Sequence, residues 1–241
     1  SEAAQVSLAG AWRCRVELEL QQDPRVVGRV PHGTAALLYN AMIHPLAPLP
    51  IRGVIWYQGE SNVERHTEYL DLSERMISAW RADWGQDIPF LLVVLAGFDA
   101  NWPGWPELQW TQVQTAREVP NGGFALATDI GDAHDIHPRN KQEIGRRLAL
   151  VARALVHGED VEFSGPVCRS ARRVGHRVVL EFDHAEGGLT VSGSPSGELT
   201  GFEVAGADGV WASADAEVRG EAVFVSSREV PWPVSLRYNW D

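Results

Sequence analysis

The sequence predicts an α/β fold, a parallel sheet with flanking helices, followed by a small all-β module. Three observations predict it. Between residues 51 and 158, three short apolar runs free of charge are each followed by a polar turn and then by apolar residues at helical spacing. Repeated strand–helix units of this kind imply parallel strands joined by right-handed crossovers. From about residue 159 the texture changes to short alternating runs separated by Gly, Ser and Pro, the pattern of a β module. With 241 residues, 44 % of them apolar, the chain is long enough for a full core and two domains.

Residues 11–20 alternate strictly. Trp12, Cys14, Val16, Leu18 and Leu20 share one face, and Arg13, Arg15, Glu17 and Glu19 share the other, which reads as a half-exposed strand. Residues 21–50 read as irregular and end in a Pro-rich run. The first strand of the sheet is placed at 53–57. Its helix is placed at about 62–84, with Tyr69, Leu72, Met76, Ile77, Trp80 and Trp84 at helical spacing. The second strand, 90–95, leads into a loop rich in Trp and Pro and a weaker helix near 107–118. The third, 124–128, is followed by an acidic loop and a closing helix at about 140–157, with Ile144, Leu148, Val151 and Leu155 on one stripe. Beyond it, alternating runs at 177–183, 201–205, 209–212, 222–226 and 234–240 suggest a small sandwich. The expected divisions are a lead-in at 1–50, an α/β domain at 51–158 and a β-sandwich-like module at 159–241.

Several function classes drop out. A net charge of −11 argues against nucleic-acid and anionic-membrane partners. No apolar run reaches the length of a membrane span. No Gly-x-Gly-x-x-Gly follows a strand and no Walker motif is present, so a dinucleotide or nucleotide cofactor is not expected. Cys14 and Cys168 are the only cysteines, too few for a disulfide framework or a thiolate zinc site, and their pairing stays open.

In an open parallel sheet the loops after the strands gather on one edge, and ligands bind there. The turn Gln58-Gly59-Glu60-Ser61-Asn62, the tryptophan loop and the stretch from Asp129 to His137 should therefore converge. A histidine two residues after a carboxylate, as in Asp135-Ile136-His137, suits a general base whose tautomer is fixed by its neighbour. Asp129 and Asp132 are equally placed by type to orient it. The bland alternative is a helix-capping turn. A metal site on Asp132, His134, Asp135 and His137 is a weaker one, because ligands so closely bunched seldom reach one ion from a single loop. In the turn, Gly59 allows close backbone approach, and Gln58 and Asn62 bring amide donors that can receive an oxyanion. Ser61-x-x-Glu64 fits a capping box, and Ser61 lacks the Gly-x-Ser-x-Gly setting of a nucleophile. Trp102, Trp105 and Trp110 offer flat faces to a sugar ring, or simply pack the loop down.

Together these residues resemble the sialate O-acetylesterase family of SGNH-type carbohydrate esterases. The resemblance rests on Leu38-Tyr39-Asn40-Ala41-Met42-Ile43-His44-Pro45, on Arg52 to Asn62, on Asp129-Ile130-Gly131-Asp132 and on Ile136-His137-Pro138-Arg139-Asn140. Trp80-Arg81, Pro89-Phe90, Phe202-Glu203-Val204-Ala205 and Arg237-Tyr238-Asn239-Trp240 extend it. It implies an SGNH, flavodoxin-like sheet and metal-free hydrolysis of acetyl esters on sugars by a serine nucleophile. It also implies His137 as base with Asp135 as orienting acid, and Gln58, Gly59, Glu60 and Asn62 at the oxyanion and substrate pocket. An extracellular or periplasmic location is implied as well. The family's Gly-Gln-Ser-Asn nucleophile block is not found in this sequence. The expectation is therefore an internal segment that depends on an upstream partner for its serine, or else a carbohydrate-binding or structural fragment without turnover.

Overall fold

The structure is a computed structural model that describes residues 36–99, 102–194 and 196–240. The strand expected at 11–20, with Cys14, lies outside the described residues. The chain divides into two compact units, Ser1–Pro50 and Ile51–Asp241. In the first, part of the stretch expected to be irregular is helical: Tyr39–Ile43 forms a π-helical turn and His44–Leu46 a 3-10 turn. Pro45 stands at the start of that 3-10 turn, where no amide donor is needed.

The second unit begins with three parallel strands, β1 (Val54–Trp56), β2 (Phe90–Val94) and β3 (Gly122–Leu126), in the order β1-β2-β3. Every residue of β2 is buried, because helices cover both faces. On one face Phe90 and Leu92 meet Ile77 of α1 (Tyr69–Trp84) and Ala116 of α2 (Trp105–Glu118). Trp56 and Trp80 close that layer edge to face, at 5.7 Å between ring centres. On the other face Leu91 and Val93 meet Ile144, Leu148 and Val151 of α3 (Lys141–Leu155). Of the stripe read from the sequence, α3 buries Ile144, Leu148 and Val151, while Leu155, its last residue, is exposed. Its first turn is capped by Asn140, whose Oδ1 accepts the Glu143 amide at 3.2 Å.

The helix expected from residue 62 starts later. Glu60–Glu68 is a 3-10 segment interrupted at Arg65 (φ −126°, ψ 32°), and α1 begins only at Tyr69. Val63 is the one buried residue in that segment, so no apolar stripe at i+3 and i+4 holds an α-helix there. The expected Ser61–Glu64 capping box does not form: Gly59 occupies the N-cap, with no side-chain cap. Conversely, α2 starts earlier than expected, at Trp105. Gly104 before it has φ +97°, and a Cβ at that position would stand 2.7 Å from the Val63 carbonyl oxygen.

Among the described residues the β module is one antiparallel sheet of six hydrogen-bonded strands. Its strands are β4 (Val167–Val174), β5 (Arg177–Asp183), β6 (Leu199–Ala205), β7 (Trp211–Arg219), β8 (Ala222–Ser226) and β9 (Ser235–Tyr238), ordered β4-β5-β8-β7-β6-β9. Val178 and Leu180 of β5, Phe202 and Val204 of β6, and Val223 and Val225 of β8 pool into one core. Strand β4 was not anticipated. A bulge between Cys168 and Ser170 breaks its alternation, and Arg169, Arg172 and Arg173 mark it as a charged edge. Cys168 is an exposed free thiol. Among the described residues no helix is long and apolar enough to cross a membrane.

Candidate active site

The loops that leave β1, β2 and β3 meet over a shared apolar cluster. Val63, Tyr69, Leu95, Trp105 and Leu108 form its buried part, and Tyr57, Phe98, Trp102 and Ile136 pack against it. Each loop thus contributes, including the residue immediately before His137. The Asp99 amide donates to the Ala133 carbonyl at 3.0 Å, tying the second loop to the third. Lys141 Nζ lies 4.5 Å above the centre of the Tyr57 ring, tying α3 to the end of β1.

The turn after β1 is held from behind by a fully buried amide. Gln112 on α2 accepts the Leu95 amide at 2.9 Å through Oε1 and donates to the Gln58 carbonyl at 2.9 Å through Nε2. The Tyr69 hydroxyl donates to the same carbonyl at 3.1 Å, and burial pushes that phenol's pKa up. In front, Gln58 Nε2 donates to Asn62 Oδ1 at 2.8 Å, which fixes the Asn62 amide with its nitrogen free to donate elsewhere. The Gly59 amide meets Glu60 Oε2 at 3.1 Å. Sequence reasoning missed Gln112. The available signal was a polar residue in the Leu108–Gln112–Thr115 stripe of α2, all three of which are buried.

Gly59 is needed for space. A Cβ there would stand 2.6 Å from Gln112 Nε2 and 3.3 Å from Leu95 Cδ1. Gln112 cannot swing away without losing its two bonds. Gly59→Ala is therefore expected to destabilise the chain by about 1–3 kcal/mol, read as a lowered midpoint in thermal unfolding.

In the third loop the three candidate aspartates separate. Asp129 binds Arg147 of α3 in fork geometry, at 2.6 and 2.7 Å. The guanidinium holds its carboxyl below the usual carboxylate range. Arg147 also bonds the Leu126 carbonyl at 2.8 Å and Glu143 at 2.9 Å. Asp129 thus fastens the loop to α3. Asp132 Oδ1 accepts the His134 amide at 2.9 Å, and Asp135 Oδ1 accepts the His137 amide at 2.8 Å, while the backbone closes a tight turn between Asp132 and Asp135. The His137 imidazole Nδ1 is 3.6 Å from Asp135 Oδ1, beyond hydrogen-bond length, and 80 % exposed. Asp135 is thus beside the ring but engaged by the backbone. Among the described residues no three His, Cys, Asp or Glu side chains are grouped as a metal site requires.

The Asp129–Arg147–Glu143 cluster gives a pH dependence. Glu143, shared by Arg146 and Arg147, is lowered to about 2, and Asp129 is lowered as well. Carboxyls with depressed folded-state values contribute stability above their unfolded values, and that stability is lost as pH falls through the folded ones. Acid unfolding is expected to steepen between the ordinary carboxylate range and about pH 2. Arg147→Met should flatten this dependence, as urea midpoints measured along a pH series will show.

The tryptophans divide between packing and exposure. Trp105 is buried, donates Nε1–H to the Ala96 carbonyl at 3.0 Å and stacks near Phe98 and Trp102. Trp110 is 48 % exposed. A cleft of ≈ 1030 Å³ runs from this loop to Tyr238, Asn239 and Trp240 of the β module, residues that sequence reasoning had not assigned to any site.

Residues 31–153 match the family described as carbohydrate esterase, sialic acid-specific acetylesterase. Human sialate O-acetylesterase is 34 % identical over 202 residues, covering 72 % of this chain and 38 % of the human protein. The mouse sialate O-acetylesterase is 36 % identical over 165 residues, covering 59 % of this chain and 30 % of its own length. Among solved structures, a carbohydrate acetylesterase from Xanthomonas citri is 42 % identical with a TM-score of 0.80, covering 85 % of this chain and 48 % of that one. The chain spans less than two fifths of these curated relatives.

Proposed function

The chain belongs to the sialic acid-specific acetylesterase family of carbohydrate esterases, and we propose that it carries the base and oxyanion elements of an enzyme that hydrolyses acetyl esters on sugars. The nucleophile is a serine on an upstream segment bearing the family's Gly-Gln-Ser-Asn block. His137 takes the serine proton as the hydroxyl oxygen adds to the acetyl carbon. Asp135 turns from the backbone to the imidazole and steadies the imidazolium. The Gly59 amide and the Asn62 side-chain amide receive the oxyanion, Gly59 being released by Glu60. His137 returns the proton to the departing sugar hydroxyl. Water, deprotonated by the same imidazole, then adds to the acetyl-serine, and acetate leaves as the serine recovers its proton.

The observation that supports this reading is the joint packing of Tyr57, Val63, Trp105 and Ile136, which brings the residues flanking Gln58–Asn62 and His137 into one cluster. A fluorophosphonate probe with peptide mapping tests the division of labour. Labelling is expected at a serine of the upstream segment only when the two parts are combined. A labelled serine within this chain, with acetate released by the chain alone, would overturn it.

A further inference from the structure

The cleft between the tryptophan loop and the end of β9 has a composition that bears on the kind of sugar it takes. At ≈ 1030 Å³ it is at the upper end of the range of small-molecule sites, room for more than one ring. It opens beside the catalytic edge, since Gly97, Phe98 and Thr128, the residues just beyond β2 and β3, line it. Its two walls carry exposed aromatic faces, Trp110 on α2 and Tyr238 on β9, each 48 % exposed. A sugar ring lays its polarised C–H bonds against such faces. Asn239, beside Tyr238, supplies an amide on one wall, and Gln109 of α2, whose Nε2 donates to the Leu95 carbonyl at 2.8 Å, offers its amide oxygen on the other.

The charges are one-sided. Asp99, Glu107 and Asp129 line the cleft, and among its described lining residues there is no Lys, Arg or His. Arg147, which touches Asp129, is already shared between Asp129 and Glu143. Arg237, next to Tyr238 in the chain, is bound to Glu203 at 2.6 Å. A sugar carboxylate entering here would find, among the described lining residues, no cation to replace its water and would meet the like charge of Asp99 and Glu107. Neutral rings with many hydroxyls meet no such barrier and find acceptors in Asp99 and Glu107, the Asp129 oxygens being engaged by Arg147.

We propose that this cleft is a subsite for neutral sugar units flanking the acetylated one, so that the substrate class is an acetylated neutral oligosaccharide and not a carboxylated sugar. This rests on the esterase reading for the reaction but not for the binding. The test is direct titration, by calorimetry, of the full chain with xylotetraose, cellotetraose and mannotetraose, and with sialyllactose as the carboxylated probe. At least one neutral tetrasaccharide is expected to bind about tenfold or more tightly than sialyllactose, and Trp110→Ala to weaken it about tenfold. Trp240→Ala, on the opposite wall, should weaken it too. Sialyllactose binding as tightly as the best neutral probe would overturn the proposal. Binding of none of the neutral probes, or affinity unchanged in both variants, would overturn it equally. Acetate release is measured separately, on the chain combined with the proposed serine-bearing segment: absent turnover there with this binding pattern intact rejects the esterase reading alone, and turnover without the pattern rejects the subsite alone.

Discussion

His137→Asn, in the chain combined with the proposed serine-bearing segment, is expected to lower kcat for acetate release by about 10²–10⁴-fold, the range of general-base contributions, with little change in KM. The imidazole is exposed and makes no side-chain hydrogen bond to the described residues, so its loss should leave the fold and substrate binding intact. An unchanged thermal midpoint checks that. The same experiment ranks the three aspartates that the sequence left open. Asp135→Asn should also fall in kcat, because an amide beside Nδ1 no longer stabilises the imidazolium. Asp132→Asn should fall less, since among the described residues its carboxylate supports the turn at His134 and not the imidazole of His137. Asp129→Asn should act on acid stability, through Arg147, more than on kcat. His137→Asn retaining most of the activity would remove the proposed base.

The parts legible in the sequence were those set by local physics. Strand β2 is apolar on both faces because both faces are covered, and that shows as an unbroken run. The α3 stripe at Ile144, Leu148 and Val151 is its buried face. What was not legible depends on partners far along the chain. Glu60–Glu68 keeps a 3-10 form because only Val63 reaches the core. Strand β4 is recruited by pairing with β5, against its own weak alternation. Asp129 resembles Asp132 and Asp135 in sequence, and only Arg147, 18 residues later, separates it from them. The cleft joins Trp110 to Trp240, and no local pattern links the two.

Gln112 is the clearest case of a distant partner, and its substitution carries the second large effect. Gln112→Leu keeps the volume and removes both bonds. The Leu95 amide is then buried without an acceptor, and the Gln58 carbonyl keeps only the Tyr69 hydroxyl. With about 1–3 kcal/mol for the unsatisfied Leu95 amide and about 1 kcal/mol for the bond lost at Gln58, the loss is expected at about 2–4 kcal/mol. The turn at Gln58 and Gly59 should loosen too, lowering kcat in the combined enzyme. Gln112→Glu isolates the donor. One carboxyl oxygen can still accept from Leu95, but the other faces the Gln58 carbonyl and needs a proton to bond it. Burial and that acceptor both raise the folded-state pKa of the new carboxyl above its unfolded value. A group so shifted contributes its stability in full below the unfolded value and loses it as pH rises through the folded one. Gln112→Glu should therefore approach wild-type stability near pH 4, at the low end of the unfolded carboxylate range, and weaken steadily as pH rises, the reverse of the Asp129–Arg147 dependence. Urea unfolding along one pH series reads both. A Gln112→Glu variant equally stable at all pH values would mean that the Gln58 carbonyl does not need the Gln112 amide, and the turn would then have to be held in place by Tyr69 alone.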